Sequence, residues 1–315
     1  MKIVILNECF FERDHIDRLR RLGTVEIFEN TTKEEDVKER VKDADVCIAD
    51  MFIAPITNTV FDNSKKLKLL AINSTGFDKI DVKYARKCDI NVSNVPNFST
   101  DAVAEQTIAL MFAVNRKIVT GDKECRKSLL EIDPGNESHK KYLGFNMRGK
   151  TIGVIGSGNI GCRVIQLAQG LGMNVLVYNR TNKNIPGTKF VGLKQLLKES
   201  DIISVHVALN KETENLIDVE EFTVMQSHAI IINTASGGIM NTDALLNALN
   251  SKKIAGAGLD GVYKLTKDHP LLKFDNVVFS PHSAWYTKEA LGNIAEIITR
   301  TVESFSKGEH INIVN

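Results

Sequence analysis

From Thr151 the chain reads Thr151-Ile152-Gly153-Val154-Ile155-Gly156-Ser157-Gly158-Asn159-Ile160-Gly161. The first five residues make a buried-strand pattern, and beyond the glycines Val164, Leu167, Ala168 and Leu171 step along one helical face. Strand, glycine turn and helix thus come in the order that a dinucleotide phosphate site requires. Gly156 permits the tight turn, Gly158 lets backbone approach a pyrophosphate, and Gly161 lets helix and strand pack closely, while free amides at the helix start face the anion. The plainer alternative is a glycine-rich turn in a doubly wound sheet that binds nothing. The following strand, Asn174 to Tyr178, ends where an NAD site presents a carboxylate to the ribose 2′-hydroxyl, and here stand Asn179, Arg180 and Thr181. Losing a negative charge and gaining a guanidinium favours a 2′-phosphate. NADP(H) is therefore the expected cofactor, with NAD(H) the alternative if Arg180 merely sits in solvent.

Toward the N-terminus, short apolar runs at Ile3 to Leu6, Val25 to Phe28, Val46 to Ala49, Leu69 to Ile72 and Ile90 to Ser93 alternate with helical stretches. Those stretches are Ile16/Leu19/Leu22, Glu34 to Val41 and Val82 to Lys87. This is the rhythm of a parallel sheet flanked by helices. Asn94-Val95-Pro96-Asn97 breaks it. Ser99, Thr100 and Asp101 offer caps for a connecting helix through Val103, Thr107, Leu110 and Val114. Residues 121–147, holding Asp133-Pro134-Gly135-Asn136, read as an irregular, polar surface excursion between two domains. A second alternating series runs from Thr151 to about Ser280, and a last helix through Leu291, Ile294, Ile298 and Phe305 stops at Gly308. No internal repeat is present.

The chain has 315 residues, 43% hydrophobic and 25% charged, which fits two ordinary globular domains. Forty Lys plus Arg against 39 Asp plus Glu leave a formal charge of +1. No basic stripe exists to recruit nucleic acid or an anionic membrane, so acidic ligands must be caught locally. Cys9, Cys47, Cys88, Cys125 and Cys162 form no C-x-x-C pair and have no neighbouring His, so neither zinc nor a redox pair is signalled. The apolar start ends at Asn7 and Glu8, and no run approaches the ~20 apolar residues of a membrane span. A reduced, cytoplasmic protein is expected.

Seven ordered segments resemble the D-isomer-specific 2-hydroxyacid dehydrogenase family over essentially the whole chain. They are Ser74 to Asp81, Asn94 to Glu105, the glycine loop, Asp201 to Leu209, Ile232 to Gly238, Ala257 to Asp260 and Ser280 to Ala284. The resemblance implies an α/β fold of two doubly wound domains, a Rossmann dinucleotide-binding domain inserted into a flavodoxin-like substrate domain. The expected substrate domain is 1–99 with 286–315, and the dinucleotide domain 100–285. It further implies a cleft between domains, a homodimer, and a small 2-oxoacid or related carbonyl as substrate. By the same resemblance, the amides of Thr75 and Gly76 hold the substrate carboxylate. Asn159 and Ile160 meet the pyrophosphate, Val207 and Ala208 the cofactor ribose, and Thr234, Ala235 and Asp260 the nicotinamide. Ala208 stands where the family usually has proline.

Reducing a 2-oxoacid needs a hydride, a proton for the forming alkoxide, and a cation for carboxylate and carbonyl. The family divides these tasks among nicotinamide, His, Glu and Arg. His282 fills the histidine position and is the expected general acid. Ser236 replaces the arginine, and a neutral hydroxyl forms no bidentate pair with a carboxylate. No carboxylate lies between Asp260 and Asp268, where the glutamate that poises the histidine should be. Losing one preorganised donor to a developing oxyanion costs about a hundredfold to a thousandfold in rate. Lys264, Lys267 and His269 lie in the altered loop and are candidate replacements for the cation, against the simpler reading of a solvated loop. Two functions follow: an NAD(P)-dependent oxidoreductase with altered substrate or weak activity, or a catalytically silent NADP(H)-binding sensor or partner subunit.

Overall fold

The five N-terminal runs form β1 (Lys2–Ile5), β2 (Thr24–Ile27), β3 (Val46–Ala49), β4 (Leu69–Ile72) and β5 (Asn91–Ser93). The computed structural model describes residues 1–7, 9–128, 137–181, 183–261 and 265–315. Within it the chain divides into two units, residues 1–99 with 286–315 and residues 100–285.

In the first unit all pairings are parallel and the order is β2-β1-β3-β4-β5, the flavodoxin-like arrangement. Every residue of β3 and β4 is buried, as happens when helices cover both faces of a parallel sheet. The connections include α1 (Arg13–Leu22), α2 (Glu34–Val41), α3 (Asn58–Asn63) and α4 (Val82–Lys87). Val37, Val41, Val60 and Phe61 from these helices pack with Leu70 and Ile72 of β4 in one core. Fully burying such side chains contributes about 1.5–3 kcal/mol each.

The second unit opens with α5 (Thr100–Asn115) and α6 (Ile118–Ser128). Its sheet comprises β6 (Thr151–Ile155), β7 (Asn174–Tyr178), β8 (Thr188–Phe190), β9 (Ile202–Val205), β10 (Ile230–Asn233), β11 (Gly256–Asp260) and β12 (Val277–Ser280). The strands are parallel in the order β12-β11-β10-β9-β6-β7-β8, with α7 (Asn159–Gly170) following β6. This is the Rossmann order extended by one strand. The direction of winding reverses between β6 and β9, so a crevice opens outside their carboxyl ends. Further helices are α8 (Leu193–Glu199), α9 (Val219–Val224) and α10 (Thr242–Asn250). The chain then returns to the first unit as α11 (Lys288–Ser306), capped by Thr287, whose side chain accepts from Ala290 N. There Arg18 of α1 forks between Glu296 and Glu303, at 2.5 and 2.8 Å.

Two expectations are corrected. The excursion at 121–147 lies inside the second unit and not between the two, because the boundary falls at Ser99/Thr100. The connecting helix α5 that precedes it is also core, with Leu110, Met111 and Val114 buried and the Cβ position of Gly258 3.1 Å from the Leu110 Cβ. The excursion at 121–147 is not wholly irregular, because α6 and a 3-10 turn at Glu137–Tyr142 lie in it. α6 escaped notice because its sequence, Ile118 to Ser128, is polar and interrupted by Gly121, leaving no apolar stripe. Glu124 joins the two pieces through Lys141 at 2.8 Å and the Tyr142 hydroxyl. Asp133-Pro134-Gly135-Asn136 lies outside the described residues.

Candidate active site

β6 runs directly into the glycine turn, where each glycine has its own reason. Gly156 holds φ +97°, and a Cβ there would lie 2.8 Å from the His206 carbonyl and from Cγ1 of Val207. A Cβ on Gly161 would lie 2.0 Å from the Gly156 carbonyl oxygen, so helix and turn meet through backbone. Around Gly158, by contrast, nothing comes within 4 Å of the Cβ position. Gly158 caps α7 without a side-chain hydrogen bond, and Asn159 and Ile160 form the first turn. Beside them Ser157 is fully buried, and its Oγ has no partner among the described residues. An uncapped helix start with open space and an orphaned hydroxyl fits a pyrophosphate. The residues present therefore suit a nicotinamide dinucleotide.

At the end of β7, Asn179 is occupied with the turn itself. Its Oδ1 accepts from Ser157 N at 3.2 Å and its Nδ2 donates to the Thr181 carbonyl at 2.7 Å. Arg180 pairs with Glu212 at 2.6 Å, both side chains mostly exposed. Lys183, which sequence reasoning missed, returns to the turn and donates from Nζ to the Ser157 carbonyl at 2.8 Å. His206 was missed as well. Its Nε2 lies 2.7 Å from the Ser204 hydroxyl, and burial pushes its pKa down to about 4, so the ring is neutral near pH 7. Val207 is half-buried and Ala208 exposed, its carbonyl accepting from the Thr213 hydroxyl at 2.6 Å.

The loop after β10 is folded by Asn233, which accepts from Ala235 N at 3.0 Å and donates to the Ser236 carbonyl at 2.9 Å. Thr234 shares a 2.8 Å hydroxyl contact with Thr107 of α5. Ser236, Asp260, Gly261 and Glu214 line a cavity of about 410 Å³. Asp260 ends β11, buried, and takes three donors: the Ser280 hydroxyl at 2.5 Å, Ser283 N at 3.0 Å and Ala284 N at 3.0 Å. These bracket His282, whose φ of +56° puts it in the left-handed region. Its imidazole rests on Gly261, where a Cβ would lie 2.9 Å from Nδ1. Asp260 thus braces the loop that presents His282. Of the loop cations, His269 spends Nδ1 accepting from Leu271 N at 3.3 Å, Lys267 is exposed, and Lys264 lies outside the described residues.

In the first unit, Thr75 and Gly76 follow β4 and are exposed. The Thr75 hydroxyl donates to the Val95 carbonyl at 2.7 Å, Asn94 donates to the Thr75 carbonyl at 2.8 Å, and Ser74 donates to the Gly76 carbonyl at 2.8 Å. The amides of Thr75 and Gly76 themselves have no acceptor among the described residues. Two such amides in succession form a concavity for an anion.

Residues 108–284 match the family described as D-isomer specific 2-hydroxyacid dehydrogenase, NAD binding domain. The chain belongs to the D-isomer-specific 2-hydroxyacid dehydrogenase family. A glyoxylate reductase of Thermococcus litoralis is 37% identical over 287 residues, covering 88% of this chain and 85% of that one. The solved structure of D-2-hydroxyisocaproate dehydrogenase aligns with TM-score 0.86 at 28% identity, over 100% of this chain and 99% of its own. An acyclic imino acid reductase, solved in complex with NADPH and D-Arg, aligns with TM-score 0.87 at 34% identity over all of both chains. The dehydrogenase fold of two doubly wound sheets is thus shared, and the chemistry of the family is NAD(P)-dependent hydride transfer to a 2-oxoacid. None of these relatives is described as catalytically silent, and that alternative gains nothing from them.

For a 2-hydroxyacid dehydrogenase, the two residues missed by sequence reasoning left different traces. His206 was visible as a lone imidazole at the end of an apolar strand. Lys183 lies five residues past β7, and only the path of the loop brings it back to Ser157.

Proposed function

We propose that the chain is a cytoplasmic, NADP(H)-preferring reductase of a small 2-oxoacid or related carbonyl, with residues 100–285 holding the cofactor and the other unit the substrate carboxylate. The observation that carries this reading is the posture of His282, held over Gly261 by a buried, fully bonded Asp260. Asn159, Ile160 and the glycine turn would hold the pyrophosphate, Arg180 and Thr181 the 2′-phosphate end, Val207 and Ala208 the ribose, and Thr234 and Ala235 the nicotinamide side. Bound nicotinamide supplies the hydride. His282 gives a proton to the oxygen that becomes the hydroxyl. The Thr75 and Gly76 amides take the substrate carboxylate without a basic side chain. A homodimer is supported by apolar side chains exposed around α6, Ile118 and Leu143 among them.

A second reading has its own support in Ser236 and in the absence of a carboxylate between Asp260 and Asp268. A protonated imine already carries the positive charge and the proton that a carbonyl must be given. Hydride addition to its carbon yields the amine directly, so a polarising arginine becomes repulsive and a poised general acid dispensable. The imino acid reductase among the structural relatives accords with this.

One experiment tests both readings: NADPH oxidation with glyoxylate, pyruvate and hydroxypyruvate, with and without ammonium, in the wild type, His282→Ala and Ser236→Arg. Oxoacid reduction predicts turnover without ammonium that His282→Ala abolishes and Ser236→Arg raises. Imine reduction predicts turnover that requires ammonium, survives His282→Ala and falls in Ser236→Arg. Tight NADPH binding with no oxidation under any of these conditions overturns both.

A further inference from the structure

Three charged side chains, Arg180, Lys183 and Glu212, stand on the loops that border the glycine turn, and none of them belongs to a family segment. β7 and β9 flank β6 on either side. Arg180 lies just past β7, and Glu212 lies in the loop past β9, so their 2.6 Å ion pair joins the two loops that border the β6 turn. Lys183 comes back to the turn and meets a neutral carbonyl, that of Ser157. Among the described residues it has no carboxylate partner. The arrangement therefore holds one cation already neutralised by a carboxylate and one that is not.

We propose that Lys183 and Glu212 set the cofactor preference of this site. Lys183 is a second cation for the cofactor 2′-phosphate, and Glu212 is the phosphate's competitor for Arg180. The inference rests on the NADP(H) reading above and goes beyond it by naming what tunes that preference. A 2′-phosphate offers Arg180 a fork of strong acceptors in exchange for the carboxylate, and offers Lys183 a charged partner in exchange for a carbonyl. A 2′-hydroxyl offers neither. Because Arg180 and Glu212 are largely exposed, their pair is weak and its exchange costs little. Lys183, starting without a counter-ion, gains most.

Dissociation constants of NADPH and NADH for the full-length wild type, Lys183→Met and Glu212→Gln test the inference. Lys183→Met weakens NADPH about tenfold and leaves NADH within about twofold. Glu212→Gln tightens NADPH by up to about fivefold and leaves NADH unchanged. Equal weakening of both cofactors by Lys183→Met assigns it only to shaping the Ser157 turn and overturns the proposal, as does unaltered or weaker NADPH binding in Glu212→Gln. A wild type that binds NADH more tightly than NADPH overturns the NADP(H) reading itself. A wild type that prefers NADPH, with the preference intact in Lys183→Met, overturns only the role of Lys183.

Discussion

Gly261→Ala should separate the placing of His282 from everything else in the second unit. Gly261 has φ +75°, and a Cβ there would lie 2.9 Å from His282 Nδ1, 3.0 Å from its Cβ and 3.1 Å from its Cγ. Ordinary contact begins near 3.4 Å, so the ring must withdraw by about 0.5 Å. Turning about χ1 gives no relief, because the histidine Cβ is itself one of the close atoms. Its backbone has little freedom, since Asp260 holds Ser283 N and Ala284 N just beyond it. Alanine in the left-handed region costs about 1–2 kcal/mol, and the overlap adds to this. Melting should therefore fall by about 2–4 °C for each kcal/mol lost in a unit of this size. A misplacement of about 1 Å at a reacting group costs about a hundredfold, so half that displacement predicts a kcat roughly tenfold lower. NADPH affinity should hold, because the glycine turn belongs to β6 and is untouched. Stopped-flow NADPH oxidation, with the oxoacid that the wild type turns over fastest, reads kcat, and fluorescence titration reads the NADPH Kd. A variant that melts lower yet keeps kcat within about twofold would refute the reasoning that the position of His282 matters to the reaction.

His206→Asn tests the half-buried imidazole at the end of β9. Folding holds its pKa at about 4 against an ordinary 6.5, so its contribution to stability is whole above 6.5 and is lost as pH falls toward 4. Urea unfolding across that window should show the wild type losing up to about 3 kcal/mol more than the variant; parallel curves would show that burial does not hold the ring neutral. Arg18→Met removes the fork between α1 and α11, leaving Glu296 and Glu303 without their shared cation, at a cost of about 2 kcal/mol near neutral pH. Hydrogen bonding to Arg18 holds the Glu303 carboxyl below its ordinary range, so this contribution is lost as pH falls through that lowered value. Chemical denaturation at neutral and acid pH should show the gap between the two proteins closing in acid.

β6 and β7 were legible in the sequence because they are short, apolar and largely buried, and because the glycine turn has one backbone path open to it, whereas β8, partly exposed and carrying Lys189, was not. α6 escaped as well: it is an exposed helix, held by Glu124 contacts rather than by a periodic apolar face. Within the site, Ser236 and the missing carboxylate were legible as residue identities. The task of Asp260 was not, since its three donors come from Ser280, Ser283 and Ala284, more than twenty residues away or nearly so in the chain, and only pairing of β11 with β12 makes them neighbours. Arg180 was legible as a guanidinium at a strand end. Its engagement with Glu212 was not, because that contact spans 32 residues.

The sequence by itself determined the parallel α/β class, the position of the phosphate turn, and the presence of Ser236 and of no carboxylate between Asp260 and Asp268. Those are statements about periodicity and about which residue occupies which place, and a linear text carries both. Tertiary structure alone decided how the remaining groups are spent: Asn179 on the turn, Asp260 on the loop that presents His282, His269 on a helical cap, and Lys183 on the Ser157 carbonyl. The physical reason is that a side chain of given chemistry acts through its partners. Partners are fixed by strand order and loop path, which bring together atoms that the sequence holds far apart.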